Sequence, residues 1–185
     1  MSAVEAKKKP RLATVWLAGC SGCHMSLLDV DEWIIELGHL VDVVFTPIAD
    51  IKNYPDDVDI ALVEGAIANE ENREMLIRVR ERTKLIVAFG DCAVTGNVTA
   101  LRNPLGTPEV VLKTSYLEKG DLQAQIPQAR HIVPVLLDQV LPLHQVVPID
   151  RYIHGCPPSG VQIREAIEAL LSDPALLDDS AIRFG

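Results

Sequence analysis

Four cysteines carry the chemistry this chain advertises, and they stand in three separated places. The local strings are Gly19-Cys20-Ser21-Gly22-Cys23-His24, Gly90-Asp91-Cys92-Ala93 and His154-Gly155-Cys156-Pro157-Pro158. Each cysteine lies among turn-forming residues at an element boundary and not inside a hydrophobic run. A structural zinc site usually closes on two close pairs, whereas only Cys20 and Cys23 are paired here. A Cys-x-x-Cys pair between a strand and a helix suits thiol-disulfide exchange, but it leaves Cys92 and Cys156 without a role. Four thiolates around one iron-sulfur cluster use all four, and glycine-rich loops offer backbone N–H donors to such an anionic centre. The plainer alternative makes Cys92 and Cys156 small buried hydrophobes. Their shared glycine-flanked setting speaks against it.

Around these cysteines stand further residues with chemistry to offer. Gly19, Gly22, Gly90 and Pro157 flank the cysteines and shape their loops. Glu64, at the end of an apolar run, can accept backbone N–H groups or relay protons. His24 offers a hydrogen bond to a cluster sulfur or a helix-surface contact to a partner, and His154 is open in the same way. Asp91 reads as a turn and N-cap residue. His39, His131 and His144 lie among aliphatic residues or at turns and read as structural.

The elements that must position these groups follow a βαβ pattern, short β-branched runs alternating with segments of helical period. Strands are expected at Leu12–Ala18, Leu40–Thr46, Asp59–Val63 and Lys84–Phe89. Helices are expected at Ser21–Leu37, with Met25, Leu28, Trp33 and Ile34 inward, and at Asn69–Arg82, with Met75, Leu76 and Val79 inward. From Asn97 to Gln128 the pattern is loop-rich, with turn signals at Asn103-Pro104-Leu105-Gly106 and Thr107-Pro108. Period returns over Val133–Val147, and a last helix, Ser159–Leu171, is capped by Ser159. Ligands of open α/β sheets bind beyond the carboxyl ends of the strands, which is where Cys20, Cys23, Cys92 and Glu64 fall.

At 185 residues and 48% hydrophobic, the chain has the size of one domain with an adequate core. Residues 1–11 read as a flexible tail and 12–185 as a single domain. A net charge of -9 argues against nucleic acid, and the one basic run, Lys7-Lys8-Lys9 with Arg11, has no interleaved aromatics. No apolar stretch reaches the roughly 20 residues of a membrane span, and no secretory signal is evident. The expected location is the cytoplasm, where metal or redox roles for cysteine outrank disulfides.

Trp16-Leu17-Ala18-Gly19-Cys20-Ser21-Gly22-Cys23-His24-Met25-Ser26-Leu27-Leu28, Val63-Glu64-Gly65-Ala66-Ile67, Gly90-Asp91-Cys92-Ala93 and Gly155-Cys156-Pro157-Pro158 together resemble the small subunit of nickel-iron hydrogenases. The resemblance implies a flavodoxin-like open parallel sheet with helices on both faces. It implies one proximal 4Fe-4S cluster at the carboxyl ends of the strands, on Cys20, Cys23, Cys92 and Cys156. The nickel-iron site would belong to a separate large subunit. Periplasmic members add a twin-arginine signal and further cluster ligands, which this sequence lacks. The corresponding subunit of respiratory complex I has adjacent cysteines in its first motif, where this chain has two residues between them, so a close homologue of that subunit is not expected. The short form is similar to the soluble, bidirectional NAD-reducing hydrogenases, whose electrons pass to iron-sulfur and flavin diaphorase subunits. F420-reducing or sulfur-linked hydrogenases share most of these motifs; a thioredoxin-like or zinc-binding protein is the alternative from another class. The chain has no Gly-x-Gly-x-x-Gly, so NAD is expected to bind elsewhere. A flavodoxin-like fold leaves FMN open on fold analogy alone, although no Ser/Thr-rich phosphate loop follows the first strand.

Overall fold

A computed structural model describes residues 8–118, 123–129 and 132–172. Its centre is a parallel five-stranded sheet built from β1 (Arg11–Trp16), β2 (Asp42–Phe45), β3 (Val58–Glu64), β5 (Thr83–Phe89) and β7 (Arg151–Ile153). Across the sheet the strands run in the order β2-β1-β3-β5-β7, that of an open flavodoxin-like sheet. The two central runs, Ile60-Ala61-Leu62-Val63 and Ile86-Val87-Ala88-Phe89, are buried on both faces, as near-continuous apolar strands in a parallel sheet must be. The first seven residues of the expected tail lie outside the described residues. Pro10 is already engaged, its carbonyl accepting from the Asp42 N–H at 2.9 Å.

Alternate side chains of the strands feed two separate cores. Ala13, Val15, Ala61, Val63, Ile86 and Ala88 pack on one face with Leu76 and Val79 of α3 (Glu70–Arg82). Leu12, Ile60, Leu62, Val87 and Phe89 pack on the other. There they meet α1 (Gly22–Leu28), α2 (Trp33–Leu40) and α7 (Gly160–Ser172) through Leu27, Trp33, Leu37, Ile163, Ile167 and Leu170. Helices therefore cover both faces. α3 starts on an Asn69 cap, whose side chain accepts from the Asn72 N–H at 2.8 Å. Ser159 caps α7 reciprocally with Gln162, a capping box. None of the described helices is long and apolar enough to cross a membrane.

Several sequence expectations need correction. The helix expected over Ser21–Leu37 is two helices, broken at residues 29–32, where Asp31 takes a positive φ of 53°. The break re-aims the chain. Trp33 and Leu37 reach the core, while Met25 (57% exposed), Leu28 and Ile34 face outward. The second strand is shorter than Leu40–Thr46, because Leu40 still belongs to α2. A short helix, α4 (Asp91–Thr95), leads into the loop-rich stretch, which itself contains helical turns. These are α5 (Asn97–Ala100), a 3-10 turn at Asn103–Leu105, α6 (Pro108–Leu112) and a π-helical turn at Lys113–Glu118. Pro104 and Pro108 start helical turns there, since a proline in the first turn lacks only an N–H that had no partner. Val133–Val147 holds β6 (Leu136–Leu141), which pairs antiparallel with the three-residue β4 (Ile67–Asn69).

Candidate metal centre

The parallel register brings the cysteine loops together. Trp16 lies opposite Glu64, Glu64 opposite Phe89, and Phe89 opposite Ile153. Four strands thus end level, and the chain leaves three of them into Cys20, Cys92 and Cys156, while Glu64 closes the fourth. Cys23 enters through the first turn of α1. Cys23 and Cys92 are buried, and Cys20 and Cys156 are exposed, so one side of this end faces the core and the other opens outward. All four are free thiols. Among the described residues, no three His, Cys, Asp or Glu side chains stand close enough to hold a single metal ion.

Glu64 is the buried anchor of this end, 2% exposed. Its carboxylate accepts from the Cys23 N–H at 3.3 Å and the His24 N–H at 2.9 Å, and its second oxygen also meets the His24 Nδ1. It therefore supplies from another strand the N-terminal cap that α1 does not provide for itself, since Ser21 makes no side-chain cap bond. His24 is correspondingly not a surface residue: it is 4% exposed, its ring set edge-on to Phe89. Its Nε2 is buried without a hydrogen-bond partner among the described residues.

Two further ties join the loops. The Ser26 hydroxyl donates to the Pro158 carbonyl at 2.6 Å, fixing α1 to the Cys156 loop. The Asp91 carboxylate accepts from the Gly155 N–H at 2.8 Å, while the Asp91 N–H donates to the Gly155 carbonyl at 2.9 Å. Asp91 is thus the first residue of α4 and not its N-cap, a place held by Gly90. Thr99 is a residue that sequence reasoning passes over. Its hydroxyl donates to the Ala18 carbonyl at 3.1 Å, beside the Cys20 loop.

Glycine is required where backbone and sulfur crowd. Gly90 has a φ of 84°, and a Cβ there would stand 2.2 Å from the Cys23 sulfur. A Cβ on Gly22 would stand 3.2 Å from the Cys20 sulfur and 3.9 Å from Pro157, and one on Gly19 3.3 Å from Gly65 Cα. Burial pushes the Cys23 thiol well above its ordinary pKa, and the charges of Glu64, Cys92, Cys20 and Cys156 push it the same way. Burial also raises Cys92; hydrogen bonding to Thr99 opposes this, and the Cys156 and Cys20 charges add to it. Both buried sulfurs thus feel the exposed Cys20 and Cys156.

His154 is half-buried and stacked on Tyr152, with ring centroids 6.4 Å apart. His39 and His144 are exposed, and His131 lies outside the described residues.

Residues 20–170 match the family profile described as NADH ubiquinone oxidoreductase, 20 Kd subunit. A vhu-type F420-non-reducing hydrogenase subunit of Methanococcus voltae is 38% identical over 91% of this chain and 59% of its own length. The HoxS subunit delta of the NAD-reducing hydrogenase of Cupriavidus necator is 35% identical over 89% of this chain and 79% of its own. The chain spans little more than half the length of the F420-non-reducing hydrogenase subunits, 54% to 59% in four of them. In a crystal structure of an NAD+-reducing [NiFe]-hydrogenase in the H2-reduced state, one chain superposes with a TM-score of 0.87 at 34% identity, over 96% of this chain and 100% of that one. The profile carries the name of a respiratory subunit, whereas the relatives named here are hydrogenase subunits. The chain belongs to the NADH ubiquinone oxidoreductase 20 Kd subunit family and is a relative of these hydrogenase subunits.

Proposed function

We propose that this chain is the electron-transferring small subunit of a nickel-iron hydrogenase. In this reading residues 12–185 form one iron-sulfur domain, holding a single 4Fe-4S cluster on Cys20, Cys23, Cys92 and Cys156. The nickel-iron site that oxidises or evolves H2 belongs to a partner large subunit, and electrons pass on to a diaphorase that reduces NAD. The observation that carries the reading is the level ending of four strands, which sends three cysteine loops to one half-open end of the sheet. The 0.87 superposition on a chain of an NAD+-reducing [NiFe]-hydrogenase supports its finer part.

The residues fit such a group. A cluster takes its thiolates on separate irons, so its ligands line a space and need not meet at one point, in keeping with the absence of a three-ligand shell for a bare ion among the described residues. Gly90 leaves free the volume beside the Cys23 sulfur that a side chain would fill. The orphaned His24 Nε2 stands next to Cys23 in sequence with a hydrogen bond still to make. When bound, a 4Fe-4S cluster supplies one-electron transfer.

The chain's own residues then do the positioning. Glu64 holds the amides of Cys23 and His24, and Ser26 holds the loop after Cys156. Trp16 and Met25, both about half exposed, place apolar surface beside the open cysteines, which suits a protein partner there. FMN is left out of the reading, because the loop after β1 is occupied by Cys20 and Cys23 where a flavodoxin-like sheet would present its phosphate loop.

Anaerobically purified protein should be brown, with about four irons and four sulfides per chain and an EPR signal on reduction. Cys156→Ser should make the cluster labile and abolish hydrogen-dependent NAD reduction by the complex. Colourless, iron-free protein after anaerobic reconstitution overturns the reading. The relatives named F420-non-reducing hydrogenase subunits favour a second version, with another electron acceptor. Co-purification decides: a flavin-containing diaphorase beside the large subunit supports NAD, and its absence supports the other acceptor.

A further inference from the structure

The β5·β7 ladder ends just short of the cysteines, and a side chain continues it. Backbone pairing runs from Val87 opposite Arg151 to Phe89 opposite Ile153, followed by the Gly90 N–H donating to the Ile153 carbonyl at 2.7 Å. The Asp91 N–H then reaches the Gly155 carbonyl at 2.9 Å, and the Gly155 N–H returns to the Asp91 Oδ1 at 2.8 Å. This closed pair of bonds sits one residue before Cys92 and one residue before Cys156. β7 is a three-residue edge strand, and Gly155 adopts a φ of 136°, where an added Cβ would meet Pro158 at 2.5 Å. A second tie, from Ser26 to Pro158, lies two residues beyond the cysteine.

We infer that Asp91 is a positioning residue that latches the Cys92 and Cys156 loops to each other, fixing the separation of two of the four thiolates. The inference rests on the iron-sulfur reading. Asp91 acts through the Gly155 backbone and not on a ligand sulfur, and its useful property is an oxygen acceptor at the right reach. Charge is incidental to that role. Asparagine, which keeps an oxygen in the same place, should therefore substitute for it, whereas alanine leaves the Gly155 N–H without its acceptor.

The test compares Asp91→Ala, Asp91→Asn and the parent chain, each purified anaerobically in its complex. Read-outs are iron release to a ferrous chelator, the reduction potential by EPR-monitored titration, and the melting temperature. Asp91→Ala should release iron faster by roughly tenfold to a hundredfold, as leaving the Gly155 N–H without its acceptor implies, with a shifted potential. Asp91→Asn should stay within about threefold of the parent, less than the 1.4 kcal/mol of a tenfold change. Where the alanine variant does not accumulate, Asp91→Ser, whose oxygen falls one bond short, takes its place. Parent-like iron release and potential in Asp91→Ala, whatever its melting temperature, overturn the latch and leave the iron-sulfur reading standing. Equal damage in Asp91→Asn overturns it too, by making the charge the cause. An iron-free parent chain sinks the iron-sulfur reading and the latch with it.

Discussion

Replacing Glu64 tests whether the cysteine end is held by a buried carboxylate. In Glu64→Gln the side-chain volume is kept, but only one oxygen remains for donors that now use two. The oxygen can stay with the 2.9 Å bond from the His24 N–H, leaving the buried Cys23 N–H to face an amide NH2. An unsatisfied buried donor costs about 1–3 kcal/mol, and bonds to a charged acceptor are worth about 1.5–3 kcal/mol. Removing a buried charge offsets part of that. The net expectation is a loss of about 2 kcal/mol, or a fall in melting temperature of about 4–8 °C for a chain of this size. Glu64→Ala strips both amides and the His24 ring of their acceptor and should cost more, about 3–5 kcal/mol. Thermal unfolding of the metal-free chain reads this directly, and iron per chain in the purified complex reads its consequence. If the carboxylate positions Cys23, iron content falls while hydrogen-dependent turnover per bound iron is preserved. Full iron content with slowed turnover would refute the reasoning and point to proton transfer. So would a melting temperature for Glu64→Gln indistinguishable from the parent, because a surface-like change of under about 0.5 kcal/mol is incompatible with so buried an anchor.

Other substitutions probe the remaining contacts. Gly90→Ala forces a side chain into a φ of 84° and a ψ of 164° and against the Cys23 sulfur, so a loss of about 3 kcal/mol or more is expected in urea unfolding. Gly38→Ala, inside α2 with nothing within 4 Å of the new Cβ, should instead gain about 0.5–1 kcal/mol in the same assay. Ser26→Ala removes the buried bond to Pro158 and should cost about 1–3 kcal/mol. Asp59 gives the pH dependence. Burial pushes its carboxyl up, but the Lys84 ammonium and the Arg11 N–H, with further help from the charges of Lys84 and Lys8, hold it below the usual range. A depressed folded pKa contributes stability that is present above the unfolded value of about 3.9 and is lost as pH falls through the folded value. Asp59→Asn should therefore cost under about 1 kcal/mol at pH 7 and flatten the loss of stability below about pH 4 in acid titrations.

Much of the fold is legible in the residues, and the reasons are physical. β3 and β5 are legible because strands buried on both faces are continuous apolar runs, and α3 because Met75, Leu76 and Val79 mark one face between charged neighbours. β4 and β7 are not. Each is three residues long and owes its strand state to a partner far away in sequence, Ile67 pairing with Leu141 and Arg151 with Val87. The burial of His24 is hidden for a related reason. Nothing local tells that the next turn of chain will lie against Glu64, forty residues on.

The failure over α1 and the start of α2 is of a different kind, and it bears on function. Met25, Leu28 and Ile34 have helical spacing that reads as core, yet all three face outward, while Cys23, His24 and Ser26 take the buried side of α1. Periodicity reports that a face is apolar; it cannot report what covers it. A helix that packs on its own sheet through one side and meets a partner through another carries apolar residues on both, and the pattern then has no single inward direction. Met25 and Leu28 lie on the helix that Cys23 opens, with Trp16 at the end of the strand that leads to Cys20. Under the proposed function, these outward residues are the ones a docked large subunit would cover. Met25→Asp with Leu28→Asp should accordingly leave the melting temperature of the isolated chain within about 2 °C of the parent, since neither residue is in the core, and should weaken its co-purification with the large subunit. A collapse of the isolated chain's stability would return both residues to the core and remove this ground for a partner.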